Sequence, residues 1–296
     1  VNYPDEMTND QFPISSFQFP ISNFQFPMIN VVYSIGAPLD GGGIGSVALE
    51  AVRGLVSRGY LQRLLVLGGG DVIARDRLDR FPEWTVANRI AGRFLPDRVR
   101  DRLFDEWAAR RIGRCDVFYG WANHSLRSLG IAHREGAITI LDRGSVEAGA
   151  QRTILEEEHR LHGLPAGPMH PSEVQRAQAE YAATDIIAVP SSFVRDSFIA
   201  AGCPKEKLFL NPLGVDTDRF APAEKPPERF RVVFLGRVSL QKGILYLLRA
   251  WAMLRLENAE LLVAGPLEST VRPLVQEAIR EAPEGSVRVL GPSLHP

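Results

Sequence analysis

Cysteine is nearly missing from this 296-residue chain: Cys115 and Cys203 stand far apart and outside any C-x-x-C pattern. That argues against a disulfide framework or a structural zinc site, and it fits a reducing cytosol. Long apolar runs are missing too. None approaches the roughly 20 residues of a membrane span, and the N-terminus has neither the basic start nor the apolar stretch of a secretory signal. Excess charge of one sign is the third absence, since 34 basic and 35 acidic residues leave a formal net charge of -1. No overall field exists to gather nucleic acid or an anionic surface, so such a partner has to be met locally. The expectation is a cytoplasmic protein without a nucleic-acid partner. What remains is ordinary globular composition, 45% apolar and 23% charged, with length for one large domain or two smaller ones.

The first 28 residues stand apart. QFPIS at Gln11 to Ser15 recurs at Gln18 to Ser22 and QFP returns at Gln25 to Pro27, a period of seven. Pro13, Pro20 and Pro27 block the continuous helix that a coiled coil needs, so residues 1–28 read as a disordered, low-complexity leader. The chain begins with Val1, and Met28 precedes the first credible strand, which makes Met28 the expected natural start.

After Met28 strand and helix patterns alternate. Ile29 to Ile35 reads as a strand and Ile44 to Ser57 as a helix with periodic Val47, Leu49, Val52 and Leu55. Further strands are expected at Leu64 to Leu67, Val117 to Trp121, Ile138 to Leu141, Ile186 to Val189 and Leu208 to Leu210. Continuous apolar runs such as IIAV at Ile186 to Val189 point to parallel strands buried on both faces. The fold class is α/β, with a Rossmann-like domain over 29–222. Proline and charge without apolar periodicity mark a linker at 223–229. A second unit over 230–296 places strands at Phe230 to Leu235, Leu261 to Ala264 and Val287 to Leu290, with helices at Ile244 to Leu256 and Val271 to Glu281. Three strands are half of a doubly wound sheet, which has about six.

Two glycine-bearing loops sit where such folds bind ligands. Gly41, Gly42, Gly43 and Gly45 lie between a strand and a helix, where free amides receive an anion. Gly43, Gly45 and Ala48 satisfy G-x-G-x-x-A, but the longer loop from Gly36 disfavours dinucleotide binding. The second loop, GRVSLQKG from Gly236 to Gly243, follows the first strand of the second unit. It puts Arg237 and Lys242 at a strand's carboxyl end, where a planar fork and a compact charge can hold a diphosphate.

These segments taken in order resemble glycosyltransferase family 4. They are Gly41 to Gly45, SSFVRDSFIAAGCPKEKLFLNPLGVDTDRF at Ser191 to Phe220, and VVFLGRVSLQKGILYLLRAW at Val232 to Trp251. NPLGVDTDRF is similar to the family's P-x-G-V-D-x-x-x-F segment, AELLVAGP to a strand of its nucleotide-binding domain, and LDRGS at Leu141 to Ser145 to members associated with bacterial polysaccharide assembly. The resemblance implies a GT-B fold, with a complete N-terminal Rossmann-like domain and the first half of a second one. It implies transfer of a sugar from a nucleoside-diphosphate donor to a saccharide or lipid-linked acceptor, with retention and without a cofactor or required metal. Arg237 and Lys242, with Gly236 and Gly243, match the donor-phosphate site, and the glycines at 41 to 45 the loop facing it across the cleft. Related sequences carry a histidine shortly after the DRGS-like segment. Val146 and Glu147 stand there instead, and His124 is the substitute considered for catalysis.

The family's E-x7-E motif is expected beyond Pro296, so the alternatives are a truncated, non-catalytic binding fragment or a sugar-nucleotide epimerase of the same fold. Residues 89–114 hold eight arginines against four acids with Leu103, Phe104 and Trp107 interleaved, a pattern that suits either an ordinary surface helix or peripheral contact with an anionic membrane. Glu156, Glu157, Glu158 and His159 are consecutive on a helical stretch and cannot converge on one metal ion.

Overall fold

The computed structural model describes residues 29–39, 42–70, 76–82, 96–165, 167, 169–218, 220, 222, 225 and 228–291. The leader over 1–28, Gly41, most of the 223–229 linker and positions 89–95 of the basic segment lie outside the described residues.

The first unit runs β1 (Val31–Pro38), α1 (Ile44–Ser57), β2 (Leu61–Gly68), β3 (Leu78–Arg80), α2 (Asp97–Ala109), β4 (Val117–Trp121) and α3 (Leu126–Arg134). It continues through β5 (Ile138–Asp142), α4 (Ala148–Leu161), α5 (Pro171–Ala183), β6 (Ile186–Val189), α6 (Ser192–Ala200) and β7 (Leu208–Leu210). Seven strands form one sheet in the order β3-β2-β1-β4-β5-β6-β7. Every pair in it is parallel. Alternation of side chains along the central strands buries both faces of the sheet there. Tyr33, Ile35, Leu64 and Val66 pack with Ala48 and Val52 of α1, while Val32, Leu65 and Leu67 pack on the other face with Phe104 and Trp107 of α2. Those two aromatics of the basic segment are therefore core residues, whereas Leu103, just before them, is exposed. β3, only three residues of mixed polarity, carries too little periodicity to be expected from sequence.

The second unit comprises β8 (Phe230–Leu235), α7 (Ile244–Leu254), β9 (Ala259–Ala264), α8 (Arg272–Glu281) and β10 (Val287–Gly291), its sheet ordered β10-β9-β8. Helix α7 stops two residues before the expected Leu256, where Arg255 adopts a left-handed φ of 44° and closes it. Ile244, Leu248 and Trp251 of α7 pack on Leu261 and Val263, and Leu164, just after α4, joins the same cluster from the first unit. Beside it, Tyr246 of α7 donates to both carboxylate oxygens of Glu158 in α4, at 3.0 and 2.9 Å. No helix among the described residues is long and apolar enough to cross a membrane.

Candidate functional site

The strand order reverses between β1 and β4, and in open parallel sheets ligands bind at the carboxyl ends beside such a switch. A cleft of about 570 Å³ opens there. Its walls are Gly43, Ile44 and Val47 after β1, Trp121 to His124 after β4, Asp142 to Ser145 after β5, and Asn211 after β7. Lys242 reaches it from the second unit.

Of the residues singled out in sequence, Gly43, Lys242 and His124 meet in this cleft. The glycines of the first loop divide in their roles. Gly42 and Gly43 hold positive φ values of 73° and 54°, which a side chain would strain. Gly45 is needed for contact, because a Cβ there would stand 2.1 Å from the Pro38 carbonyl oxygen. Lys242 ends a short 3-10 turn, and Gly243 carries the chain from it into α7. Arg237 does not line the cleft; its Nη1 lies 3.7 Å from Glu268 Oε1 on a largely exposed side chain. Gly236 and Gly243 do not line it either.

His124 is held by residues that sequence reasoning passed over. The turn that carries it is fixed by buried Glu180 of α5, whose carboxylate accepts from the backbone N–H of Asn123 at 2.5 Å and of Ser125 at 2.9 Å. Asp105 of α2 caps α3 from outside its own sequence neighbourhood, accepting from the Arg127 and Ser128 N–H groups at 2.8 and 3.0 Å. Arg176 ties the two acids together. Its Nη2 donates to Asp105 at 2.5 Å and its Nε to the Asn123 carbonyl at 3.0 Å. Burial, reinforced by the nearby Arg176 and Arg100 charges, pushes His124 down to about 4, so the imidazole is neutral near neutral pH. Its Nε2 lies 3.6 Å from Asp101, itself pushed up to about 7 by burial. His124 Nδ1 is buried without a hydrogen-bond partner.

Asp142, at the tip of β5, was not singled out from sequence, although the LDRGS segment that contains it was. Burial raises its carboxyl to about 6, against the opposing effect of a hydrogen bond from Tyr119. The Tyr119 hydroxyl donates to Asp142 Oδ2 at 2.7 Å, and its ring stacks on Tyr33 at 5.0 Å. Tyr33 in turn accepts from Trp121 Nε1 at 2.8 Å. Two adjacent strands, β1 and β4, thus supply an ordered aromatic support for the one carboxylate that β5 carries to the cleft. The stretch from Glu156 to His159 does not converge: Glu156 pairs with Arg152, Glu158 with Tyr246, and His159 with the Pro165 carbonyl. Among the described residues no group of three or more His, Cys, Asp or Glu is placed to hold a metal ion.

Comparison with known proteins agrees with this architecture. Solved structures with the same fold include HepE of Anabaena in complex with UDP-glucose, 14% identical with a TM-score of 0.57, the match covering 90% of this chain and 69% of that one. WaaG, a glycosyltransferase involved in lipopolysaccharide biosynthesis, is 15% identical with a TM-score of 0.58, covering 89% and 70%. A UDP-N-acetylglucosamine 2-epimerase from Rickettsia bellii is 13% identical with a TM-score of 0.50, covering 89% and 69%. At these identities the likeness establishes the GT-B fold alone. No curated protein matches the sequence. The model of Glycosyltransferase Family 4 matches residues 41–219. With more than half its length matched, the chain belongs to glycosyltransferase family 4.

Proposed function

We propose that this protein transfers a sugar, with retention of configuration, from a nucleoside-diphosphate sugar to a saccharide or lipid-linked acceptor in bacterial polysaccharide or glycan assembly. One observation carries the reading: Lys242 from the second unit shares a single cleft with Gly43, His124 and Asp142 at the strand tips of the first. Glycosyl transfer passes through an oxocarbenium-like state while negative charge builds on the departing diphosphate. A cation fixed beside that diphosphate stabilises the transition state more than the ground state, and Lys242 is assigned this role. An ionised carboxylate on the opposite wall suits the complementary charge on the sugar, and Asp142 is assigned it. Neutral, buried His124 orients an acceptor hydroxyl by hydrogen bonding. Arg237, paired with Glu268, supports the donor loop from outside the cleft wall. A cytoplasmic setting fits two cysteines that are both free thiols.

The test is release of nucleoside diphosphate from UDP- and GDP-sugars in the presence of saccharide acceptors, with the anomeric form of the product read by NMR. Lys242→Ala should lower turnover strongly without loss of folding, and unchanged kinetics would remove the assigned role. The likeness to the Rickettsia bellii epimerase favours a second reading, sugar-nucleotide epimerisation. A product in which the sugar is epimerised, with no bond to an acceptor, would establish that reading in place of transfer.

A further inference from the structure

Arg143 is the second residue of the cleft segment after β5 and is only 6% exposed. Its backbone is fixed by an N–H bond to the Ala188 carbonyl at 2.9 Å. The guanidinium has only neutral partners: Nε and Nη2 donate to the Val146 carbonyl at 3.3 and 3.1 Å, and Nη2 to Gln151 Oε1 at 2.6 Å. Among the described residues no carboxylate lies within ion-pairing distance of it.

The acids nearby are engaged elsewhere. Asp142 accepts from Tyr119, Glu147 caps α4 through the Ala150 N–H and accepts from Gln178, and Glu173 accepts from the His170 N–H. A guanidinium cannot shed its proton to escape burial, so a buried one without a counter-charge is destabilising unless something else brings the anion. Here that something has access, because the residue lines the open cleft together with Gln151. The position also separates it from the donor. Arg143 sits on the first unit's strand-tip loops, whereas the cation assigned to the diphosphate, Lys242, comes from the second.

We propose that Arg143 binds an oxyanion carried by the acceptor, so that this transferase acts on an acidic acceptor bearing a phosphate or a carboxylate near the hydroxyl that is glycosylated. Gln151 and the Val146 carbonyl hold the planar fork in place, which leaves Nη1 to meet the anion. Orientation by a charge-assisted contact also places the acceptor hydroxyl beside Asp142.

The inference rests on the cleft being a transferase site, and the experiment separates the two. Binding of a neutral methyl glucoside, a methyl glucuronide and a hexose phosphate is measured by calorimetry at saturating UDP, on wild type, Arg143→Gln and Lys242→Ala. For wild type the anionic probes should bind about ten- to a hundredfold more tightly than the neutral one, the range for a charge-assisted hydrogen bond. The tighter of the two names the acceptor's acid as carboxylate or phosphate. Arg143→Gln should abolish the preference while leaving UDP affinity in place, and Lys242→Ala should weaken UDP while keeping the preference. Equal binding of charged and neutral probes to wild type would overturn the proposal, and so would a preference that survives Arg143→Gln. Absence of both UDP and GDP binding to wild type would instead sink the transferase reading. If Arg143→Gln fails to fold, the wild-type comparison still decides, with Arg143→Lys, which keeps the charge but loses the fork, expected to retain only part of the preference.

Discussion

Tyr119→Phe removes one oxygen from the support beneath Asp142 and leaves the ring that stacks on Tyr33. In the wild-type protein the phenol donates to Asp142 Oδ2 at 2.7 Å, and this bond opposes the burial that raises the carboxyl to about 6. A hydrogen bond to an ionised group contributes roughly 1.5–3 kcal/mol, and one pH unit corresponds to about 1.4 kcal/mol. The bond favours the ionised form, so its loss raises the Asp142 pKa further, by about one to two units on these figures. If the carboxylate form is the one that works, transfer falls as pH drops through the Asp142 pKa. The acid limb of kcat/KM, set near 6 in wild type, should therefore move up by about one to two units in the variant. Activity well above both limbs should be little changed. The assay is nucleoside diphosphate release across the pH range, with urea unfolding to confirm equal folding. An acid limb that stays in place would refute the assignment of Asp142, and a loss of equal size at every pH would show that Tyr119 matters only for structure.

Asp142→Asn mimics the protonated carboxyl. Because the folded pKa lies above the unfolded value of 3.8, the stabilising protonated form is fully populated below about 3.8 and is lost as pH rises through about 6. The variant should therefore match wild type in urea unfolding under acid conditions, exceed it in alkali, and transfer sugar far more slowly. Lys242→Ala should weaken UDP binding more than Arg237→Ala, since Lys242 lines the cleft while Arg237 pairs with Glu268, and calorimetry would compare them. Asp105→Ala both uncaps α3 and strands Arg176, whose side chain is only 14% exposed. Breaking such a buried pair costs about 3–5 kcal/mol by urea denaturation, and a loss under about 1 kcal/mol would contradict the capping role. Gly36→Ala would set a Cβ 2.8 Å from the His124 ring, so it should cost about 1–3 kcal/mol and displace the imidazole, visible as a shifted histidine NMR signal.

Most strands and helices were legible in the chain because periodicity is a local property. IIAV and the Ile44 to Ser57 pattern are each set by neighbours a few residues away, and both elements form at those bounds. The glycine and basic loops were found for the same reason: each follows a strand and opens a helix. What could not be found this way were contacts closed over long separations. Asp105 caps a helix that begins 21 positions later, and Glu180 reaches back 55 and 57 positions to the Ser125 and Asn123 amides. No local signal distinguishes those acids from surface carboxylates.

The sharpest division concerns charge. Composition and pattern were enough to place arginine and lysine at strand tips and to suggest an anionic ligand, because strand-loop-helix order alone puts a loop at the carboxyl edge of the sheet. Direction was another matter. Lys242 turns into the cleft, Arg237 turns out to Glu268, and Arg143 is buried without a counter-ion, since side-chain burial and pairing follow from how distant segments pack and from nothing in the few residues on either side.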